Sequence, residues 1–432
     1  MHVLFKNIPN FLFAAAAILC FVLFQACRLL DVHYPAGSTQ LITAVLFLSL
    51  WFRYGRRMRF PPFYGQILFV MALFLAAASR FTKGSPGIYA LGTLFTFFFV
   101  LIFLAAYNAE LETEKVLDFF KILYVIIPFL SLATILDVLA NQVAFREAFT
   151  LFREPGASAG ILIYGVILSL TLFTIFKSRN YLFFSFLMSL VSSISTYKKS
   201  MITLGVVWAL FLLMERHWSR KMFYVYLFGA AALLGFCLAG DKIMSNIQSD
   251  LSFYAHKTDE VPRAVLLSTA YSISIRQFPF GSGMGTFASI PSTKFYSETY
   301  YDYGINKSWG MGPKSEGTEA FFLLDCYWAH ILGELGFLGS AVFLGLWFYP
   351  AARVRSIARQ TETDLERGLK FFIYAMTAVI TVDGLGYYYA ENPAFIIIHA
   401  GLMGMALRLL ELSRLGSLES EPDEADPLKA AL

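Results

Sequence analysis

Charged residues are scarce along the whole of this sequence. Asp, Glu, Lys and Arg together make up only 15% of the 432 residues, whereas 57% are hydrophobic. A soluble globular protein carries about a quarter charged residues. The shortfall recurs from one end to the other, so it excludes a soluble globular protein and indicates that most of the chain lies in lipid.

Cysteine and histidine are also few. The four cysteines are Cys20, Cys27, Cys237 and Cys326, and no two of them form a CxxC pair. This pattern argues against structural disulfides. His330 is a lone histidine in an apolar run without an HExxH motif, which argues against a metal site, and no cofactor is expected. The net charge of +4 is not massed in one stretch, so nothing indicates nucleic-acid binding.

Long apolar runs make up most of the sequence. A membrane helix needs roughly 20 apolar residues, so the chain has room for about twelve spans and one sizeable loop. Backbone groups cannot stay unpaired in hydrocarbon, and the runs are continuous rather than alternating, so we expect helices. The predicted fold is an all-α polytopic membrane protein with one large periplasmic loop carrying short helices. The runs lie near 9–27, 38–54, 62–80, 87–107, 117–139, 157–176, 180–195, 200–215, 222–240, 321–349, 370–389 and 393–412.

Two of these runs need comment. The first lacks a clear small-x-small cleavage site, so we expect a retained span and not a cleaved signal peptide. The run from 321 is too long for one simple crossing, so we expect a break or re-entrant turn between Gly333 and Gly339.

Basic residues predict the orientation. They concentrate in the even-numbered connections, which the positive-inside rule places in the cytoplasm. These groups are Arg53, Arg56, Arg57 and Arg59; Lys177 and Arg179; Arg216, Arg220 and Lys221; and Arg353, Arg355 and Arg359. Both termini then lie on the cytoplasmic side, and the 241–320 loop lies on the outer side. The chain divides into nine helices (1–240), the periplasmic loop (241–320), three helices (321–416) and an acidic, disordered cytoplasmic tail (417–432).

Three odd-numbered connections carry cations on the predicted outer side. They hold Arg146 and Arg153, Lys198 and Lys199, and Arg263 and Arg276. Cations there oppose the orientation bias, and a shared anionic ligand such as pyrophosphate would compensate for it. A guanidinium fork matches phosphate oxygens, and an ammonium adds a point charge. Ordinary loop cations that face water or lipid headgroups are the alternative interpretation.

The large loop contains a predicted interfacial helix between Arg263 and Arg276. Pro262 suits the first helical position. The two arginines would lie about three and a half turns apart, so they need not share a ligand. Snorkelling arginines of a surface helix are the alternative.

A glycine turn and an aromatic segment follow. Phe280–Thr286 holds three glycines that permit a tight turn or close approach to a ligand, but it lacks the GxGxxG spacing. A glycine-rich segment of this kind is more often an ordinary turn than a ligand-binding one. The aromatic segment suits either sugar binding or a membrane-interface belt. Its residues include Tyr296, Tyr300, Tyr301, Tyr303 and Trp309.

Asp383, and Tyr387 to Glu391 after it, lie at the outer end of the eleventh run. Ionisable residues at that depth are functional candidates, or they cap a helix and satisfy one another.

Several short motifs carry a resemblance to a known family. They are Arg263-x-x-x-Leu267, Pro279-x-Gly281-x-Gly283-x-Gly285-x-Phe287, and Asp325 through Glu334-x-Gly336-x-x-Gly339. With some twelve spans and one large outer loop, they resemble the bacterial O-antigen polymerase and ligase family. Lys198-Lys199-Ser200 stands where that family usually has a Ser-Arg pair. Asp325 stands where its ligases have a histidine, which favours a polymerase.

The resemblance implies a metal-independent glycosyltransferase that polymerises a surface polysaccharide: O-antigen, capsule or exopolysaccharide. It would use undecaprenyl pyrophosphate-linked oligosaccharide within the lipid bilayer, with a chain-length regulator as a possible further partner. Arg263 and Asp325 would be catalytic. The implied pyrophosphate ligands are Arg153, Lys198, Lys199, Arg263 and Arg276, and the implied glycan-binding residues are Tyr296, Tyr300, Tyr301, Tyr303, Trp309 and Glu334.

Two alternatives stay open. A ligase would transfer finished glycan to lipid A core or to protein. A transporter or flippase would move lipid-linked or small solutes, although such proteins usually show mid-span charges and broken helices in two related halves.

Overall fold

Helices are the only regular secondary structure in the part of the chain that the structure describes. The computed structural model describes residues 59–82, 84–109, 112–141, 155–194, 198–215, 221–225, 229, 261–313, 322–357, 362–386 and 393–419. In chain order the α-helices are α1 (Tyr64–Ala78), α2 (Pro86–Tyr107), α3 (Thr113–Asn141), α4 (Pro155–Phe176), α5 (Arg179–Ile194), α6 (Lys198–Met214), α7 (Pro262–Arg276), α8 (Ile290–Lys294), α9 (Glu298–Asp302), α10 (Tyr327–Ile357), α11 (Asp364–Asp383) and α12 (Pro393–Glu419). A 3-10 turn covers Ile305–Lys307.

The all-helical prediction is confirmed for these residues. The apolar runs predicted from 62 to 215 and from 321 to 412 each contain a helix. The runs at 9–27 and 38–54, and most of 222–240, lie outside the described residues. Helix α12 continues to Glu419, three residues into the predicted tail, whose remainder also lies outside them.

Membrane spans are fewer here than the sequence predicted. Within the described ranges, three helical stretches are long and apolar enough to cross a membrane: α2, α10, and Ile396–Arg414 of α12. Tyr64–Ala78, Gly160–Phe176 and Lys199–Met214 are apolar but shorter. These helices are compatible with a membrane protein, but the described residues do not support the number of about twelve spans expected from run length.

Helix α11 begins six residues before the predicted run at 370. A capping box starts it: the Thr363 hydroxyl accepts from the Glu366 amide at 3.2 Å, and the Glu366 carboxylate accepts from the Thr363 amide at 3.1 Å. This reciprocal pair satisfies two amides that a helix start leaves open. The helix therefore starts among polar residues that a hydropathy run does not include.

The predicted break in the long tenth run lies at Gly336 of α10. Its φ of 63° and ψ of −172° are not helical. A Cβ at this residue would lie 2.7 Å from the Gly281 nitrogen and 2.7 Å from the Pro279 carbonyl oxygen. Only glycine fits this conformation readily, and here it also lets the loop backbone approach the broken helix.

The bundle has two distinct polar ends, joined by α11. Asp364 at its start pairs with Lys177 at 2.9 Å, and Asp383 at its end lies 3.5 Å from Lys199. Lys177 belongs to an even-numbered predicted connection and Lys199 to an odd-numbered one. Lys177 and Lys199, one from each kind of connection, thus lie at opposite ends of α11. Which end faces the cytoplasm remains a prediction.

The described part of the large loop packs around its own small core. Helix α7 lies against α10, and α8 contacts α2. The core members are apolar side chains of the loop together with the first turn of α10. They include Leu266, Ile273, Phe287, Tyr300, Met311, Leu323 and Cys326. Cys326 is a buried free thiol within this core.

We predict that Gly336→Ala destabilises the protein. Alanine would meet both backbone strain of about 1–3 kcal/mol and a clash with the 279–281 backbone. Thermal unfolding in detergent should show a lower midpoint. Gly345→Ala is the matched control, because it lies in the same helix and its Cβ would meet only Ile67 at 3.7 Å. An equal midpoint for the two variants would contradict this account of the break.

Candidate functional site

Four charged side chains from separate parts of the chain meet at one end of the bundle. Arg263 begins α7, Asp325 lies just before α10, Lys199 lies in the first turn of α6, and Asp383 ends α11. The Arg263 Nη2 atom lies 3.2 Å from Asp325 Oδ2, and Lys199 Nζ lies 3.5 Å from Asp383 Oδ1. We call these four residues the charged cluster.

The two ion pairs adjoin each other at Gly386. A Cβ built at this glycine would lie 3.3 Å from Lys199 Cδ and 3.6 Å from Arg263 Cζ. The Gly386 backbone therefore separates a lysine and an arginine that come from distant connections. The structure thus brings together cations from two of the three outer connections that the sequence singled out.

Hydrogen bonds between α10 and α11 fix the position of the two carboxylates. The Tyr327 amide donates to the Gly384 carbonyl at 2.9 Å, and the Trp328 indole donates to the Thr381 carbonyl at 2.9 Å. These bonds join the segment after Asp325 to the segment around Asp383. Pro262 at the start of α7 places Arg263 in the first helical turn, as predicted.

Exposure decreases from Arg263 toward Asp383. The Arg263 side chain is 47% exposed, Lys199 and Asp325 are 25% and 23% exposed, and Asp383 is 8% exposed. Burial raises the pKa of the Asp325 carboxyl, and the neighbouring Arg263 guanidinium opposes that rise. The cluster therefore offers exposed N–H donors for an anion beside a carboxylate that can accept a proton.

Glu334 lies about two turns into α10, and its carboxylate is fully buried. It accepts from the Gly285 amide at 2.7 Å, the Phe287 amide at 2.8 Å and the Ser289 hydroxyl at 2.7 Å. His330 lies 3.6 Å away on the preceding turn. Since every contact is internal and no surface is exposed, Glu334 holds the loop in place here and does not face a glycan.

The glycine turn packs against the chain itself. The Ser282 and Gly283 amides donate to the Gly333 and Glu334 carbonyls at 2.9 and 3.1 Å. They satisfy carbonyls that the break at Gly336 leaves without helical partners. The close approaches that the glycines permit are to the protein itself: Gly281 to the α10 backbone, Gly283 to Thr82, and Gly285 to Ile88 of α2. These contacts favour the ordinary structural interpretation of this turn.

Arg276 does not join the charged cluster. Thirteen residues of helix separate it from Arg263, about 20 Å along the axis. It is exposed, and its guanidinium lies 5.5 Å from the centre of the Tyr303 ring. Arg153 lies outside the described residues, and Lys198 is described by its backbone alone, at the start of α6.

The aromatic segment divides into buried and exposed rings. Tyr300 is fully buried, and its hydroxyl accepts from the Ala288 amide at 2.9 Å. Tyr296 is half-buried and donates to the Met311 carbonyl at 2.8 Å. Tyr301 and Trp309 are 48% and 62% exposed. Tyr300 and Tyr296 therefore hold the loop together, whereas Tyr301 and Trp309 present ring faces at the surface.

Two residues at this end were not singled out from the sequence. Gly386 is adjacent to both cations, and Phe322 lies beside Trp309, with ring centres 5.1 Å apart. A single glycine or phenylalanine in an apolar sequence does not indicate that the residue lies beside a candidate functional site. Asp383, in contrast, was a sequence candidate because of its depth and charge.

Comparisons with known proteins found no match: no family model matches the sequence, and no curated protein matches it. The resemblance to the polymerase and ligase family therefore rests on the motifs quoted above.

We predict that Glu334→Gln loosens the 281–289 loop. An amide has one acceptor oxygen, so at least one donor among Gly285, Phe287 and Ser289 would be left buried without a partner, at about 1–3 kcal/mol. Hydrogen exchange should speed up at the Gly285 and Phe287 amides. Glu298→Gln, an exposed acid in the same loop, is the control. Unchanged exchange in Glu334→Gln would show that the carboxylate does not hold the loop.

Proposed function

We propose that this protein is a polysaccharide polymerase with about twelve membrane spans and both termini in the cytoplasm of a bacterial inner membrane. It transfers glycan from undecaprenyl pyrophosphate to a second lipid-linked repeat unit on the periplasmic side. The observation that carries the proposal is the charged cluster. Lys199 and Arg263 adjoin one another next to a partly exposed aspartate, at the end of the bundle predicted to be periplasmic.

Arg263 and Lys199 would stabilise the leaving group. In the transfer, the acceptor hydroxyl oxygen forms a bond to the anomeric carbon while the bond from that carbon to the pyrophosphate oxygen breaks. Negative charge moves onto the pyrophosphate, where fixed cations act most strongly. The guanidinium is the more exposed of the two groups and has further N–H donors beyond the one that faces Asp325.

Asp325 would accept the proton of the attacking hydroxyl. A general base works best when its pKa lies near the working pH, and burial raises the pKa of this carboxyl. The Arg263 contact orients it. Loss of that contact, when the guanidinium turns to a pyrophosphate, would leave Asp325 a stronger base.

Tyr301 and Trp309 are the exposed rings suited to pack against sugars. Tyr300 and Glu334 keep a supporting role, because neither has surface for a ligand.

The opposite end of the bundle favours an enzyme over the transporter alternative. Arg414 and Glu366 pair there at 2.9 Å with both side chains below 10% exposure, and Lys370 pairs with Glu362. These buried ion pairs join elements at this end and favour a closed arrangement of it. A transporter must open both ends in turn, whereas transfer at one membrane face needs no opening here.

We predict that Arg263→Ala abolishes polymer growth by purified protein in liposomes supplied with lipid pyrophosphate-linked repeat units from the native host. Loss of one charge-stabilising group should slow transfer about 100- to 1000-fold. Products are resolved by size, with and without EDTA, since the proposed reaction needs no metal.

Lys294→Ala makes the same change of charge at an exposed loop position and should leave the ladder intact. Normal chain growth by Arg263→Ala would remove the proposed role of this residue. Glycan on lipid A core or protein instead of a ladder would identify a ligase, and translocated but unextended substrate would identify a transporter.

We also predict a distinct pH profile for Asp325→Asn. The wild-type rate should fall as pH falls through the pKa of Asp325, because only the carboxylate accepts a proton. Burial raises that pKa, so the fall should begin above the ordinary aspartate range of about 3.9. The asparagine variant should be slower by about 100-fold or more and should lack this acidic limb. An unchanged limb in the variant would assign the titration to another group.

A further inference from the structure

An exposed tryptophan packs on a ring that belongs to the same turn as Asp325 of the charged cluster. Trp309 is 62% exposed, although indole is among the most apolar surfaces a protein presents. Its ring centre lies 5.1 Å from that of Phe322 at an interplanar angle of 39°. Phe322 begins the turn that ends at Asp325, whose amide donates to the Phe322 carbonyl at 3.1 Å.

The backbone holds this pair of rings in place from two sides. The Phe322 amide donates to the Gly310 carbonyl at 3.3 Å, and a Cβ at Gly310 would lie 2.5 Å from Phe322 Cδ2. Glycine at 310 thus lets the Phe322 ring lie on the backbone next to Trp309. On the other side, Tyr296 anchors the segment through its bond to the Met311 carbonyl.

A second exposed ring lies in the same segment. Tyr301 lies 5.3 Å from Tyr296, ring centre to ring centre, and is 48% exposed. The Tyr296 hydroxyl in turn bonds to the Met311 carbonyl, two residues from Trp309. Rings presented at intervals along a surface match a chain of sugar rings, whose C–H faces pack on aromatic faces and whose hydroxyls stay in water.

We propose that Trp309, supported by Phe322, is the stacking subsite for the pyranose that bears the reacting hydroxyl, and that Tyr301 contacts a sugar further along the same glycan. This inference rests on the proposed function, since it names a subsite of the same reaction centre. The 322–325 turn joins Phe322, on which Trp309 packs, to Asp325. A sugar stacked on Trp309 would therefore present a particular hydroxyl to Asp325.

An anchor in the membrane interface is the competing role for an exposed tryptophan. A contiguous apolar face suited to lipid lies instead on α7 and just beyond it, at Leu267, Tyr271, Ile275 and Phe278. Trp309 lies among Lys307, Ser308 and Gly310, and Lys307 is itself exposed. These polar neighbours favour a sugar over lipid as the group that contacts Trp309.

Binding by saturation-transfer NMR tests the subsite without any need for turnover. The probe is the free oligosaccharide repeat released from the native host's surface polysaccharide, titrated against protein in nanodiscs. Trp309→Ala should weaken binding roughly five- to tenfold, as expected for loss of one aromatic contact, while Trp309→Tyr should retain most of the affinity and so exclude misfolding. Phe278→Ala removes an equally exposed ring (63%) and should bind as the wild type does.

The outcomes separate this inference from the proposed function. Trp309-dependent binding by a protein that extends no glycan would support the subsite and count against the polymerase. Polymer growth with equal affinity in wild type and Trp309→Ala would overturn the subsite alone. Absence of binding to the wild type, or equal losses in Trp309→Ala and Phe278→Ala, would likewise overturn it.

Discussion

The buried carboxylate of Glu334 is the constraint on which this end of the protein depends. An ionised carboxylate removed from water costs several kcal/mol unless donors surround it. Here the donors are the amides of Gly285 and Phe287 and the hydroxyl of Ser289. Two residues further on, the helix breaks at Gly336 and exposes carbonyls that the same loop satisfies. The large loop and the broken helix α10 therefore form one unit. The position of Arg263, the loop residue of the charged cluster, depends on that unit.

The charged cluster is neutral as it stands, because two cations face two carboxylates. Such an arrangement keeps Lys199 and Arg263 close together without the repulsion that two unpaired cations would suffer. A pyrophosphate would take over the exposed guanidinium and release Asp325 to interact with a hydroxyl. In the proposed reaction, Trp309 and Tyr301 would orient the sugar, because a carboxylate alone does not distinguish one sugar hydroxyl from another.

The sequence predicts the positions of the helices well, but it predicts poorly which side chains come into contact in the fold. Apolar runs located the helices, and the excess length of one run indicated a break near Gly336. The early start of α11 was visible only as the Thr363-x-x-Glu366 capping pattern, which hydropathy overlooks. Burial could not be read from residue type: Tyr300 is buried and its neighbour Tyr301 exposed, because packing of the loop core decides between them. Likewise, the sequence named Lys199, Arg263 and Arg276 as pyrophosphate ligands and noted that the two arginines need not share one, but only the fold shows that Lys199 lies beside Arg263 and not beside Arg276.

The position of a bound lipid pyrophosphate tests the central claim most directly. A cryo-EM structure of the protein in nanodiscs with undecaprenyl pyrophosphate would give it. We expect the phosphates beside Gly386, with the terminal groups of Lys199 and Arg263 within about 3 Å of phosphate oxygens and Asp325 released from Arg263. Phosphates bound elsewhere, such as at Arg276, with both ion pairs of the cluster intact, would contradict the account.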